Sequence, residues 1–411
     1  MKIVFLSESF FPFSYGGSEW SMYYLAKDLV QVGHKIIILT PNLGAKRRES
    51  LNGIEIIRFP FYIKHKSKHG GPENFVYSNP VWIIWSAVQI YLCVRKEDID
   101  IIHVHGKYSI ASARIANIFL RKKLLATMRD YQLICNYGFC LYDKNKSCNL
   151  LEYYKYDLLF YWSNYIENKS LFTFILNLCF AVIGRLNINI HKMFVKSVPT
   201  IALSNKQREI LAANSFNTVG VIGNSINFPK TLLKLKKQKK IVYAGRLTPG
   251  KGIDLLIAII PTLFALFPDY QFLIIGEGFL KASLLSLSKK YKGLKIMGTV
   301  NHNKLLQFFR RSVVVIVPSV WPEPFGRVAL ESLSSGTPVV ASNVGGLPEI
   351  VKDKKFGYIA RPTPKDILFA LESAIRNNDT LQKNIRKNYS LLKKEFSTDI
   401  YQKYLNVYKK L

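Results

Sequence analysis

Residues 241–275 read IVYAGRLTPGKGIDLLIAIIPTLFALFPDYQFLII, and the rhythm of this stretch decides the fold. An apolar run from Ile241 stops at Gly245-Arg246, and the turn TPGKG follows. Apolar residues from Ile253 then extend over a length that only a helix fits, and a second run, YQFLII, closes the unit. Strand, helix and strand in this order make a parallel pair with a crossover helix.

The pattern repeats outward. Toward the C-terminus LKIMGTV, VVVIVPS, TPVVASNVGG and FGYIA read as strands between helical segments. Toward the N-terminus KIVFLSES, HKIIILTP, IEIIRFPF, IDIIHVHG, LLATM, TIALS and TVGVIGNSI do the same, alternating with helical SEWSMYYLAKDLVQVG and SIASARIANIFL. The rhythm lapses from Cys135 to about Pro199, where a helical, aromatic-rich insert is expected at about residues 149–198. The basic run KTLLKLKKQKK separates the two series and reads as a solvated connector. The expected class is therefore α/β, with two doubly wound Rossmann-like domains at 1–225 and 226–383. A polar helical tail, 384–411, is expected to cross back to the first domain.

A chain of 411 residues, 49% hydrophobic, can bury large cores, and its length fits two or three domains. Against 27 Asp+Glu it carries 58 Lys+Arg, a net charge of +31. That favours polyanions, anionic phosphates or an anionic membrane face, or is simply a solvated basic surface. No nucleic-acid-binding motif accompanies the charge, so no nucleic acid is expected as partner. Five cysteines, an odd number spread along the chain, make no disulfide framework and fit a reducing, cytoplasmic compartment. The opening MKIVFLSESF reads as a strand rather than a signal peptide. Two apolar-rich stretches, VWIIWSAVQIYLCV from Val81 and LFTFILNLCFAVIG from Leu171, fall short of the roughly 20 residues of a spanning helix. They are expected as buried or interfacial helices.

In open parallel sheets, ligands bind outside the carboxyl ends of the strands, where strand order reverses. In the second domain those ends are Gly245, Arg246, Gly276, Gly298, Ser319 through Gly326, and Gly345-Gly346. Arg246 and Lys251 flank a helix start, a combination that clamps a diphosphate, or else are solvated charges on a turn. Further on, WPEPFGRVALE at 321–331 places Glu323 in a loop before a helix and Glu331 inside it. The alternatives are a helix-start carboxylate for Glu323 and an i,i+4 pair with Arg327 for Glu331.

WPEPFGRVALESLSSGTPVVASNVGGLPEIV, with YAGRLTPGKGIDLLIAII, IIGEG and the N-terminal FFPFSYGGSE, resembles the retaining glycosyltransferases of family 4, of GT-B architecture. The resemblance implies two domains facing a central cleft, and transfer of a sugar from a nucleoside diphosphate to an acceptor hydroxyl. No cofactor or metal is implied. It assigns Glu323 to the donor sugar, with Phe325 and Gly326 amides beside it, and Glu331 to the ribose. Gly245, Arg246 and Lys251 fall on the donor diphosphate, and Gly298 to Val300 near the base. In the first domain it places Gly16 and Gly17 near the donor's phosphate or reacting sugar, a plain glycine turn being the other reading.

His103 and His105 alternate along a strand and are taken to face opposite sides, His105 toward the cleft and His103 into the core. His105 and Asp130 are expected to touch the transferring sugar or acceptor and to assist catalysis. In TMRDYQLIC, Arg129 stands where the family commonly has His, with Asp130 in place. Cys135, Cys140 and Cys148 read as loop thiols or a zinc site. Rival readings are a sugar-nucleotide epimerase of the same architecture, a basic nucleic-acid or membrane binder, and a silent partner subunit. The charge, the run KHKSKHG at 64–70 and the insert from Tyr153 to Ile183 suggest a lipid-linked or cell-envelope glycan as acceptor, reached peripherally on the inner membrane face.

Overall fold

A computed structural model describes residues 1–13, 16–61, 77, 79–135, 149–159, 162, 169–232 and 235–411. The chain divides into two compact units, Met1–Ser225 with Asp399–Leu411, and Ile226–Thr398.

The first unit is an eight-stranded sheet. Its strands are β1 (Lys2–Leu6), β2 (Lys35–Pro41), β3 (Arg48–Leu51), β4 (Ile54–Phe59), β5 (Ile101–Val104), β6 (Lys123–Thr127), β7 (Thr200–Ala202) and β8 (Thr218–Val221), in the order β3-β4-β2-β1-β5-β6-β7-β8. All neighbours run parallel except β3, which returns along β4. Its longer described helices include α1 (Gly17–Gln31), α2 (Pro80–Lys96), α3 (Ser109–Leu120), α4 (Leu171–Val195) and α5 (Asn205–Ala213). Strand order reverses between β1 and β5, so residues leaving those two strands border the binding crevice.

The second unit has β9 (Gln238–Ala244), β10 (Gln271–Ile275), β11 (Leu294–Ile296), β12 (Ser312–Val317), β13 (Val339–Ser342) and β14 (Gly357–Ala360), in the order β11-β10-β9-β12-β13-β14. Its helices are α6 (Ile253–Leu266), α7 (Lys281–Lys290), α8 (His302–Arg311), α9 (Arg327–Ser334), α10 (Leu347–Val351) and α11 (Pro364–Arg376). Order reverses between β9 and β12. The β12 segment SVVVIV is buried throughout, as expected of a strand covered on both faces. Helices α12 (Asn378–Lys387) and α13 (Tyr389–Lys393) stay with this unit, while α14 (Ile400–Lys410) belongs to the first. There Tyr404 and Tyr408 are buried.

The structure corrects several expectations. The connector KTLLKLKKQKK is not wholly solvated: from Gln238 it is strand, and the Lys237 ammonium donates to the Arg310 carbonyl at 2.9 Å and to Thr337 Oγ1 at 2.6 Å. The apolar stretch from Leu171 continues as one helix to Val195, 25 residues that are long and apolar enough to cross a membrane by length and composition, and little of that helix is buried. The stretch from Val81 is buried along one side only. The basic run at 64–70, with Cys140 and Cys148, lies outside the described residues. Cys135 is buried.

Candidate active site

In the second unit the strand-end glycines form a row. The Gly245 amide donates to the Ile275 carbonyl, and the Gly276 amide to the Gly298 carbonyl. A Cβ on Gly276 would stand 1.9 Å from the Gly245 oxygen, so the strand ends approach more closely than a side chain permits. Gly298 itself has φ +62°, and Val300 lies in the loop leading to α8.

Gly245 leads to Arg246, whose side chain is exposed and whose carbonyl accepts from the Tyr243 hydroxyl at 2.8 Å. The turn at 249–252 then packs on the chain leaving β12: the Val320 and Trp321 amides both donate to the Gly250 carbonyl. Gly252 (φ +76°) has no room for a Cβ, which would meet the Pro318 oxygen at 1.8 Å. This seam joins Lys251 to Glu323. The ammonium lies 2.5 Å from Glu323 Oε1, which also accepts from Ser319 Oγ at 2.6 Å and Trp321 Nε1 at 3.0 Å. The same ammonium sits 4.7 Å from the centre of the Trp321 ring. Burial opposes the charge on Glu323, but Lys251 and the donated hydrogen bonds outweigh it and hold the carboxyl below its usual range.

Phe325 is buried, and Gly326 caps α9 with φ +107°. Glu331, one turn into α9, keeps different company: its Oε1 accepts from Arg327 Nε at 2.7 Å and meets His302 Nε2 at 2.9 Å. The i,i+4 pair with Arg327 is therefore present. Burial again works against ionisation, and Arg327 with His302 again prevails, so Glu331 too is held low. His302, just behind the Asn301 cap of α8, was not singled out by the sequence.

The first unit's switch point holds other chemistry. Gly16 and Gly17 do not end β1; they are exposed and open α1, well after Leu6. The residues that follow β1 are Ser7, Glu8 and Ser9. Glu8 Oε1 accepts from the amide and hydroxyl of Ser109 at 2.7 and 2.9 Å, and Glu19 in α1 accepts from Ser9 Oγ at 2.6 Å. Burial pushes both carboxyls up. Glu19 Oε2 is buried without a hydrogen-bond partner. An acidic residue directly behind a switch-point strand is the signal in the sequence that points to Glu8.

His103 and His105 do not face opposite sides. A spacing of two places them on one face at the end of β5, and their rings lie tilted against each other with centroids 4.0 Å apart. His103 is a satisfied core residue, bonded to the Tyr408 hydroxyl at 2.7 Å and to Thr127 Oγ1 at 2.8 Å. His105 Nδ1 lies 2.8 Å from Arg129 Nη2, and Arg129 Nη1 donates to Asn224 Oδ1 at 2.7 Å. A guanidinium only donates, so Nδ1 accepts and the ring proton sits on Nε2. Burial, then His103 and Arg129, push the His105 pKa far down, which keeps the ring neutral. Its Nε2 is buried with no partner. Asp130 is tied to Lys107 at 2.8 Å and accepts the Gln132 amide at 3.0 Å. Among the described residues no group of three or more His, Cys, Asp or Glu could hold a metal ion.

Two doubly wound units, each with polar residues at its switch point, define the GT-B class of glycosyltransferase. Residues 15–169 match the model "Glycosyltransferase Family 4" and residues 224–390 match "Glycosyl transferases group 1", and the chain belongs to these glycosyltransferases. An uncharacterized glycosyltransferase of Methanocaldococcus jannaschii is 25% identical over 100% of this chain and 98% of its own. The gpi3 subunit of phosphatidylinositol N-acetylglucosaminyltransferase from Schizosaccharomyces pombe is 26% identical over 94% of this chain and 76% of its own. Among solved structures, sucrose-phosphate synthase of Thermosynechococcus elongatus superposes with TM-score 0.71 at 18% identity, over 100% of this chain and 98% of that one. Anabaena HepE in complex with UDP-glucose gives 0.67 at 18%, over all of both chains. At such identity these structures speak for the fold.

Proposed function

We propose that the chain is a retaining hexosyltransferase that moves a sugar from a nucleoside diphosphate to an acceptor hydroxyl. The observation that carries this reading is the Lys251–Glu323 pair at the β9/β12 switch point, braced by Ser319 and Trp321, with exposed Arg246 on the same strand end. Arg246 and Lys251 stabilise the charge that develops on the departing diphosphate. Glu323, already ionised, accepts hydrogen bonds from the donor sugar beside the Phe325 and Gly326 amides. Glu331 takes the ribose hydroxyls, and the base lies by Gly298 to Val300. Gly16 and Gly17 let the first unit's backbone approach the donor.

In the transfer step the acceptor oxygen bonds to the anomeric carbon on the face from which the diphosphate leaves. The bond to phosphate breaks with its electron pair, and the acceptor's proton passes to the departing phosphate oxygen. His105, as an Nε2–H donor, supports the reacting sugar or acceptor rather than removing a proton, and Asp130 orients the acceptor. Transfer on this account proceeds without a metal.

The UDP-glucose complex of HepE makes a uridine diphosphate sugar the first donor to try. The phosphatidylinositol named for the Schizosaccharomyces pombe relative supports a lipid-carried acceptor, worked on at the cytoplasmic face of a membrane. Thermal unfolding with UDP, GDP or ADP tests the donor site: a nucleotide at a hundred times its dissociation constant adds about 2.7 kcal/mol. Stabilisation by none of the three refutes the donor reading. Product formed in EDTA should keep the donor's anomeric configuration by NMR, and inversion or strict metal dependence refutes the mechanism.

A further inference from the structure

Three neighbouring helices of the first unit leave an apolar surface that no described part of the chain covers. α3 packs against α2 on one side and α4 on the other. On α2 the buried side includes Trp82, Ile83, Ala87 and Ile90, while Val81, Ile84, Val88 and Leu92 form an exposed stripe at helical spacing, the first two 64% exposed. On α3 Phe119 is 73% exposed; on α4 Phe172 is 73% and Met193 77% exposed, with Ile175, Val182, Ile183 and Leu186 also open. A face of this size marks an interaction site.

Its charge says what the site meets. None of the three helices contains a carboxylate, whereas Arg95 and Lys96 close α2, Arg114 lies in α3, and Arg185 and Lys192 lie in α4. Two copies of such a face would set like charges together, and a lipid leaflet with anionic headgroups would complement them. α4 is fixed along the unit rather than free to leave it: the Tyr153 hydroxyl donates to the Ala181 carbonyl at 2.6 Å, Arg185 lies over the Tyr153 ring, and buried His191 meets the Tyr108 ring. A helix so held lies in the interfacial plane with its apolar side in the acyl boundary.

We infer that the α2–α3–α4 face docks the first unit on an anionic bilayer, with α4 lying in the interface and not spanning it. The placement gives the surface a use. Tyr108 adjoins α4 and immediately precedes Ser109, the residue that binds Glu8 at the switch point, so a bilayer-borne acceptor enters beside the first unit's polar site. That use rests on the proposed transferase reading; the docking does not.

The test is flotation of the full-length chain with phosphatidylcholine vesicles, with and without phosphatidylserine, over a salt series. Binding is expected only with phosphatidylserine, weakening as salt rises. Ile84→Glu with Val88→Glu, and separately Phe172→Glu, should each lower vesicle binding at least about tenfold, with unfolding midpoint and UDP binding unchanged. Wild-type protein that stays unbound overturns the inference, as does an α2 variant that is folded and floats normally. Resistance to alkaline carbonate extraction would show a spanning helix and overturn the interfacial placement. Vesicle binding without any nucleotide binding would sink the transferase reading and leave this one standing.

Discussion

In the second unit Glu323 and Glu331 each lie within hydrogen-bond distance of a basic side chain, Lys251 for one and Arg327 with His302 for the other, and both are held ionised. In the first unit Glu8 and Glu19 rest mainly on serine hydroxyls and an amide, both are pushed toward the protonated form, and Glu19 keeps a buried oxygen with no donor. The second site has its charges arranged before any ligand arrives, as electrostatic stabilisation of a leaving diphosphate requires. The first retains unmet hydrogen-bonding capacity at Glu19 Oε2 and at His105 Nε2, of the kind that suits a hydroxylated ligand.

Cutting the Lys251–Glu323 pair is expected to have the largest effect. Glu323→Gln leaves a partly enclosed ammonium without its carboxylate, and breaking such a pair costs up to about 3–5 kcal/mol. Turnover should fall at least about a hundred-fold, with sugar selectivity altered. Lys251→Ala should also fall sharply, and because the two groups touch, the double variant should lose much less than the sum. Additive losses in that cycle would mean that the pair does not act as a unit.

Arg246 contrasts with that pair, being exposed and proposed to meet the leaving group. Arg246→Ala should reduce turnover about ten- to a hundred-fold, the size of a charge-assisted contact, without shifting the unfolding midpoint. Wild-type turnover would remove Arg246 from the clamp.

Glu331→Gln should act on nucleotide binding more than on turnover, about tenfold in Kd. It also reports the sign of the comparison. A carboxyl depressed in the folded state contributes stability above its unfolded pKa, and that contribution disappears as pH falls through the folded value. The wild type should therefore lose stability in acid more steeply than Glu331→Gln. Parallel acid profiles would show that Arg327 and His302 do not hold the charge.

The strands of the second unit were legible because buried parallel strands are unbroken apolar runs. Edge strand β3 was not, since RESL has no such run; only the Asn52-Gly53 turn to β4 announced it. The candidate donor residues could be named from their motifs, but not the contact between Lys251 and Glu323, which are 72 positions apart and meet only through the seam on the Gly250 carbonyl. α4 was underestimated because its polar tail, from Arg185, hid the helix's continuation to Val195. The two histidines share a face because the side-chain period of a strand is two. Arg129, noted as a departure from the family, acquired a role only once its guanidinium was found on His105.

That contact yields a spectroscopic test. With Arg129 on Nδ1, nitrogen NMR of His105 should show the neutral Nε2–H tautomer throughout the range in which free histidine titrates. Arg129→Met should release the ring to mixed tautomers and alter the pH dependence of transfer by a fewfold, with nucleotide binding intact. A charged His105 at neutral pH in the wild type would refute the assignment.

The smallest effect should have the opposite sign to those in the second unit. Burial raises the Glu19 carboxyl, with the Ser9 hydroxyl and Arg129 only partly offsetting it. For a raised acid the folded state holds the proton more tightly than the unfolded one. Stability is then fullest below the unfolded pKa and declines as pH rises through the folded value. Glu19→Gln removes the titration while keeping the shape, so it should match the wild type in acid and exceed it in neutral to mildly alkaline buffer, measured by urea unfolding. The same variant should weaken acceptor use and leave nucleotide affinity alone, because Glu19 belongs to the first unit. If Glu19→Gln is instead destabilised at every pH, the carboxylate is ionised and held by Arg129, and the contrast between the two switch points fails at that residue.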